Sequence, residues 1–224
     1  MPDFDTHRVI EGSGPCVVLI HGVGLDHKMW SAQAKAMRDR FKVLRYDLIG
    51  HGESPTRPGR IGLDDFTAQI AALLDQEGID RAHVVGFSLG ALIAQAFALK
   101  YPQRLKRLVL ISGVYDRDDA ARASVLNRLQ QAERDGTESI IEAALDRWFT
   151  DAYRKSHSQE VETIEQRLKA NTREGFLSAY RLFAEADRRL ADRLGAIGAP
   201  TLVVTGEDDT GSTPEMAERM SEAM

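Results

Sequence analysis

The sequence of 224 residues predicts an α/β fold: a mostly parallel, doubly wound sheet carrying one helical insertion. Three observations predict it. Short apolar runs such as Cys16–Ile20 alternate with helix-period segments through the first 115 residues, the rhythm of strands joined by right-handed crossovers with helices on both faces. Those runs lack a polar alternate, as strands covered on both faces should. Loops rich in glycine and other turn formers follow the strands, at 21–24, 47–55, 86–90, 112–116 and 206–212. That is the end of such a sheet where ligands bind.

Taken in order, Thr6–Ile10 reads as a short opening strand and Glu11–Pro15 as a turn. Cys16–Ile20 is a strand ending in the glycine loop His21–Gly24. His27–Arg40 reads as a helix with Trp30, Ala34 and Met37 on one face, and Phe41–Tyr46 as the next strand. Asp64 or Asp65 is expected to cap a helix whose apolar face is Phe66, Ile70, Leu73 and Leu74. Gly78 is expected to stop it. His83–Val85 begins a strand, Leu89–Lys100 is a helix apolar almost all round, and Leu108–Ile111 is a further strand. Gly198–Pro200 ends a long helical stretch. Thr201–Thr205 is then a strand, and Thr213 with Pro214 opens a last helix.

These elements divide the chain into a first core part at 1–115, a helical insertion at 116–190 without a convincing strand, and a second core part at 191–224. The insertion carries the stripe Phe176, Tyr180 and Phe183, read as its own core rather than as pocket lining. Trp148 and Phe149 stand open between the two roles. Its arginines, including Arg147, Arg154, Arg173 and Arg181, read as a solvated face balanced by acids, with a substrate carboxylate as the other possible partner. Net charge is −5, which argues against nucleic acid or an anionic membrane as the main partner. No apolar run reaches the length of about 18 residues that a spanning helix needs. The start, Met1–Asp5, is unlike a signal peptide. Cys16 is the single cysteine, so no intrachain disulfide is possible. The expectation is a cytoplasmic protein with a small-molecule substrate and no nucleic-acid or membrane partner. The sequence leaves the oligomeric state open.

The stretch Gly86-Phe87-Ser88-Leu89-Gly90 carries the chemistry. A serine between a buried strand and a helix must sit on a sharp, strained turn that lifts its hydroxyl clear of the sheet, and flanking glycines remove the side chains that would collide there. The helix that follows aims its first amides at the space where negative charge develops in acyl transfer.

Several further motifs, in order, give the chain its resemblance to the α/β-hydrolase superfamily. His21-Gly22-Val23-Gly24 resembles the family's H-G-x-G loop. Asp47, Gly50, Gly52 and Ser54 resemble its D-x-x-G-x-G-x-S loop. Gly86–Gly90 resembles the nucleophile elbow, residues 116–190 the helical cap, and Gly206–Asp209 with Pro214 the segment that delivers the acid. The resemblance implies that Ser88 is the nucleophile and that the backbone N–H groups of Val23 and Leu89 form the oxyanion hole. Gly22, Gly24, Gly86, Gly90 and His21 would support these loops. It also makes Asp209 the favoured acid, with Asp208 its neighbour and Asp116 a second position used by some relatives. The reaction implied is hydrolysis of a small carboxylic ester or lactone, without metal or organic cofactor. The resemblance leans toward small carboxylesterases and enol-lactonases. C–C bond hydrolases and cofactor-free haloperoxidases share the elbow.

One departure qualifies the resemblance. The family's base is a histidine after the acid, and this sequence has His7, His21, His27, His51, His83 and His157 but none after Asp209. The expected last strand, histidine loop and terminal helix are absent from the sequence, and a truncated chain is the expectation. Residues 1–224 are therefore expected to be nearly inactive. The other reading is a non-catalytic small-molecule receptor on the hydrolase scaffold.

Overall fold

A computed structural model describes residues 4–224, so Met1–Asp3 of the opening segment lie outside the described residues. Six strands form one sheet in the order β1-β3-β2-β4-β5-β6: β1 (Arg8–Glu11), β2 (Cys16–Ile20), β3 (Lys42–Tyr46), β4 (Ala82–Phe87), β5 (Leu105–Ile111) and β6 (Thr201–Val204). All neighbours are parallel except β1, which pairs antiparallel with β3. Every residue of β2 is buried, because helices cover both faces. Val18 and Ile20 share a core with α2 (Leu63–Gln76) and α3 (Leu89–Lys100), whereas Val17 and Leu19 pack with Trp30 and Ala34 on the opposite side.

The strand order places the site. After β3 the chain crosses back over β2 to form β4, so β2 and β4 are neighbours whose following connections diverge. Ile20 lies opposite Gly86 in the register, which brings the loop after β2 and the turn after β4 together at the carboxyl end of the sheet. Such a switch point is an open crevice.

Several sequence expectations shift in detail. The segment expected as one helix over His27–Arg40 is a 3₁₀ turn, His27–Trp30, followed by α1 (Ser31–Met37). Asp26 drives the tight start by accepting the Lys28 N–H at 2.8 Å. Neither Asp64 nor Asp65 is the N-cap of α2. Gly62 occupies that position, and Asp65, inside the first turn, reaches back to accept the Gly62 N–H at 2.9 Å. A carboxylate there still meets the positive end of the helix. Strand β5 begins three residues earlier than expected, at Leu105.

Between β5 and β6 the chain is helical: α4 (Asp119–Asp135), α5 (Ile141–Trp148), α6 (Asp151–Ser156), α7 (Ser158–Lys169), α8 (Arg173–Glu185) and α9 (Asp187–Ala191). One buried ion cluster joins the two ends of this stretch. Asp187, fully buried, accepts the Arg117 backbone N–H at 2.9 Å and faces the guanidinium groups of Arg117 at 3.2 Å and Arg122 at 3.0 Å. The stretch docks on the sheet-end loops through Asn171, which donates to Gly24 O at 2.8 Å, and through the Arg167–Asp26 pair at 3.0 Å. The last helix, α10 (Pro214–Glu222), has Thr213 as its cap and Pro214 in its first turn. On edge strand β6, Leu202 and Val204 are exposed. Among the described residues no helix is long and apolar enough to cross a membrane.

Candidate active site

Ser88 sits between the last residue of β4 and the first of α3 at φ 54°, ψ −113°, a strained conformation for any residue but glycine. The neighbours enforce it. A Cβ at Gly86 would run into the carbonyl of Gly90, and one at Gly90 into the carbonyls of Ile20 and His21. The Ser88 N–H is tied to Ile111 O at 2.9 Å, which anchors the turn to β5 and leaves the side chain on the cavity side.

The cavity is about 120 Å³ and is lined by residues including Gly22, Val23, Phe87, Ser88, Ser112 and Asp209. That volume is below the usual range of drug-sized sites, so it suits a small ligand. The helical layer supplies the roof. Phe176, Tyr180 and Phe183 all line the cavity, although the sequence suggested that the stripe would serve only as a core. Phe176 and Tyr180 do both, being 4% and 6% exposed while joined to the main core. Trp148, 43% exposed, also faces the cavity, whereas Phe149 packs with Tyr153.

Two amides stand out. The Val23 N–H donates to no group among the described residues. Leu89 is the first residue of α3, and no side chain caps that end, so its N–H has no acceptor within the helix. The Leu89 side chain itself lies in the core. Gly24, at φ 73°, faces Leu168 and Phe176 and seats the helical layer on this loop.

Asp209 lines the cavity with Ser88, whereas Asp208 and Asp116 do not. Its Oδ1 accepts the N–H groups of Gly211 and Ser212 at 2.9 and 2.8 Å. These bonds fix the carboxylate on its loop. Ser212 in turn donates to Ser112 O at 2.8 Å, fastening the loop after β6 to the one after β5.

None of the histidines among the described residues lines this cavity. His21 is fully buried, with Nε2 accepting the Leu48 N–H at 2.9 Å and Nδ1 2.7 Å from Gly22 O. That pair of bonds requires the neutral ring protonated at Nδ1. Burial, reinforced by neighbouring His51, pushes its pKa down to about 3. Burial holds His51 at about 4, with Nδ1 3.2 Å from Ile49 O and Nε2 without a partner. The bonds of both rings are to the backbone of the loops after β2 and β3.

His27 places Nδ1 2.8 Å from Asp47 Oδ1, and its N–H donates to the same oxygen at 2.7 Å; Glu53 N–H binds Oδ2 at 2.9 Å. Burial pushes the Asp47 pKa up, but these donors prevail and hold it below the usual carboxylate range. With His7 the group brings possible metal-ligand atoms within 4.8 Å of one another, but both Asp47 oxygens already accept hydrogen bonds, Oδ1 from His27 across to the loop after β2 and Oδ2 from Glu53 within the loop after β3. His157 is on the outer surface of the helical layer, stacked on Tyr153 at 4.3 Å.

One cavity residue escaped notice in the sequence: Arg128 on α4, which lines the roof beside Arg147 of α5, an arginine the sequence already singled out. Arg128 is oriented by Tyr180 Oη at 3.1 Å, across 52 residues, a contact for which local sequence gives no signal.

Comparison with known proteins agrees with this architecture. A family model described as alpha/beta hydrolase fold matches residues 15–223. The chain is 32% identical over 217 residues to the (E)-2-((N-methylformamido)methylene)succinate hydrolase of Acinetobacter baylyi, covering 96% of this chain and 80% of that one. The enol-lactonase structure from Burkholderia xenovorans superposes with a TM-score of 0.88 at 29% identity, covering 97% of this chain and 84% of the other. A thermophilic esterase from Thermogutta terrifontis, solved with malate bound, gives a TM-score of 0.88 at 30% identity over 98% of this chain and 81% of its own.

Proposed function

The chain belongs to the α/β-hydrolase fold family and is a hydrolase, and on that premise we propose that it cleaves a small carboxylic ester or lactone through an acyl-enzyme on Ser88. The observation that carries the reading is the strained Ser88 turn, opening on a cavity that Asp209 and the Val23 loop also line. In the proposed reaction Ser88 Oγ attacks the substrate carbonyl and loses its proton to a base. The oxyanion is held by the N–H groups of Val23 and Leu89, the alcohol or enol leaves, and water releases the acid. Donors already in place meet the developing charge without reorganisation, which is where such sites gain most of their rate. Asp209 is the acid that would orient and stabilise a charged base.

An ester or lactone is favoured over other bonds by the small cavity and by the names of the relatives, which include an enol-lactonase and an esterase. The base is the open position. No histidine among the described residues lines the cavity, so residues 1–224 should hydrolyse esters slowly, several orders of magnitude below an intact triad. The para-nitrophenyl butyrate assay tests this. Slow turnover is expected, and full-speed turnover would show that some group in residues 1–224 serves as the base. A second reading, a small-molecule binding protein on the hydrolase scaffold, fits a cavity that no histidine among the described residues lines. Covalent labelling of Ser88 separates the two.

A further inference from the structure

Most arginines of the helical layer have acids for company. Arg117, Arg122, Arg134, Arg154, Arg167, Arg181 and Arg188 each lie within 4.0 Å of a carboxylate. The two that line the Ser88 cavity, Arg128 and Arg147, have no carboxylate partner among the described residues. Arg128 is held by neutral groups alone, donating from Nε to Tyr180 Oη at 3.1 Å and from Nη1 to Ser124 Oγ at 2.7 Å. Those bonds fix the plane of its guanidinium and leave Nη2 uncommitted. The Arg147 guanidinium makes no hydrogen bond among the described residues, although it sits one turn along α5 from the apolar cavity residue Ala144.

We propose that Arg128 and Arg147 form a carboxylate-binding subsite in the roof of the cavity, selecting esters or lactones that carry a second, free carboxylate. The argument is one of charge balance. Two cations without a carboxylate partner flank a cavity whose other walls are largely aromatic and aliphatic, and an anion entering between them would supply the partner that half-buried Arg128 lacks. Burial and the positive charge of Arg128 both push the Arg147 guanidinium below its ordinary value, so the two groups feel each other. Asp209, the carboxylate on the opposite wall, does not serve as their partner: its Oδ1 accepts loop N–H groups, and it comes within 4.0 Å of neither arginine. A ligand carboxylate matches the planar fork of a guanidinium with two parallel hydrogen bonds. Arg147 is solvent-exposed at the mouth, where it meets an anionic ligand on entry, and half-buried Arg128 holds it inside.

The subsite presupposes that Ser88 is the acylation site, so the test is a binding measurement that requires no turnover. Isothermal titration calorimetry on residues 1–224 compares monomethyl adipate, which has one ester and one carboxylate, with neutral dimethyl adipate. The monoanion should bind about tenfold more tightly than the diester, the difference one charge-assisted contact makes. Arg128→Gln and Arg147→Gln should each remove most of that preference while leaving diester affinity unchanged, and Arg128→Lys should restore part of it. Ser88→Ala should bind the monoanion like the parent chain, so loss of Ser88 chemistry and loss of the subsite are read separately. Circular dichroism checks that each variant is folded. Equal binding of the two esters, absent monoanion binding at millimolar concentration, or an equal loss of both ligands in the glutamine variants would each overturn the proposal.

Discussion

Replacing Asp187 by alanine removes the acceptor that closes the helical layer onto the end of β5. The carboxylate is fully buried and accepts four hydrogen bonds, three from the guanidinium groups of Arg117 and Arg122 and one from the Arg117 backbone N–H. Arg117 is 2% exposed, and burial pushes its guanidinium pKa down to about 10 even with Asp187 beside it, so it stays charged at neutral pH. Without Asp187 that cation is buried and uncompensated, next to a second one. Breaking a buried pair in this way costs about 3–5 kcal/mol. In a chain of this size each kcal/mol lowers the melting temperature by about 2–4 °C, giving a fall of roughly 10 °C. Thermal melts followed by circular dichroism measure it directly. A triple replacement, Arg117→Met, Arg122→Met and Asp187→Leu, should recover most of the loss, because it removes the charges together and leaves only the Arg117 N–H without its acceptor. An Asp187→Ala protein melting within about 2 °C of the parent, which is less than 1 kcal/mol, would refute the buried-clamp account.

Gly90→Ala should destabilise the elbow by about 1–3 kcal/mol, since the new methyl meets the carbonyls of Ile20 and His21; urea unfolding would show an unchanged midpoint if the backbone relaxes freely. Stability should also fall on acidification. His21 and His51 have pKa values lowered to about 3 and 4 in the folded chain, so between about pH 6.5 and pH 4 the unfolded chain takes up protons that the native one excludes. Their contribution is full above about pH 6.5 and declines below it by up to about 3 kcal/mol per pH unit for the two together. Asp47, whose pKa is lowered, adds a further loss at lower pH. Urea midpoints that stay level from pH 7 to pH 5 would contradict the neutral, buried state of these rings.

The sheet was largely legible because its information is local. Cys16–Ile20 is apolar at every position, and Leu89–Lys100 is apolar all round, so each could only be buried. The serine turn was legible because steric demand restricts which residues can stand at 86 and 90. What escaped were contacts between residues distant in sequence. The Arg117–Asp187 pair spans 70 residues and Arg128–Tyr180 spans 52; neither leaves a periodic or motif-like trace. The cap of α2 was misplaced for a different reason. An acid in the first turn and an acid at the cap satisfy the same amides, so Asp65 could be read as either until its bond to the Gly62 N–H was seen. The roles of His27 and Asp47 were hidden because their pairing crosses two loops, although each belongs to a sheet-end segment that the sequence singled out.

The central claim is that the Ser88 hydroxyl is an activatable nucleophile in a preformed oxyanion site. Intact-mass and peptide mass spectrometry after incubation with a fluorophosphonate test it most directly, with imidazole added as an external base in place of the one that no residue lining the cavity supplies. The account predicts a single adduct, on Ser88, forming faster as imidazole is raised and absent from Ser88→Ala. No adduct at any imidazole concentration, or an adduct on another serine, would contradict it.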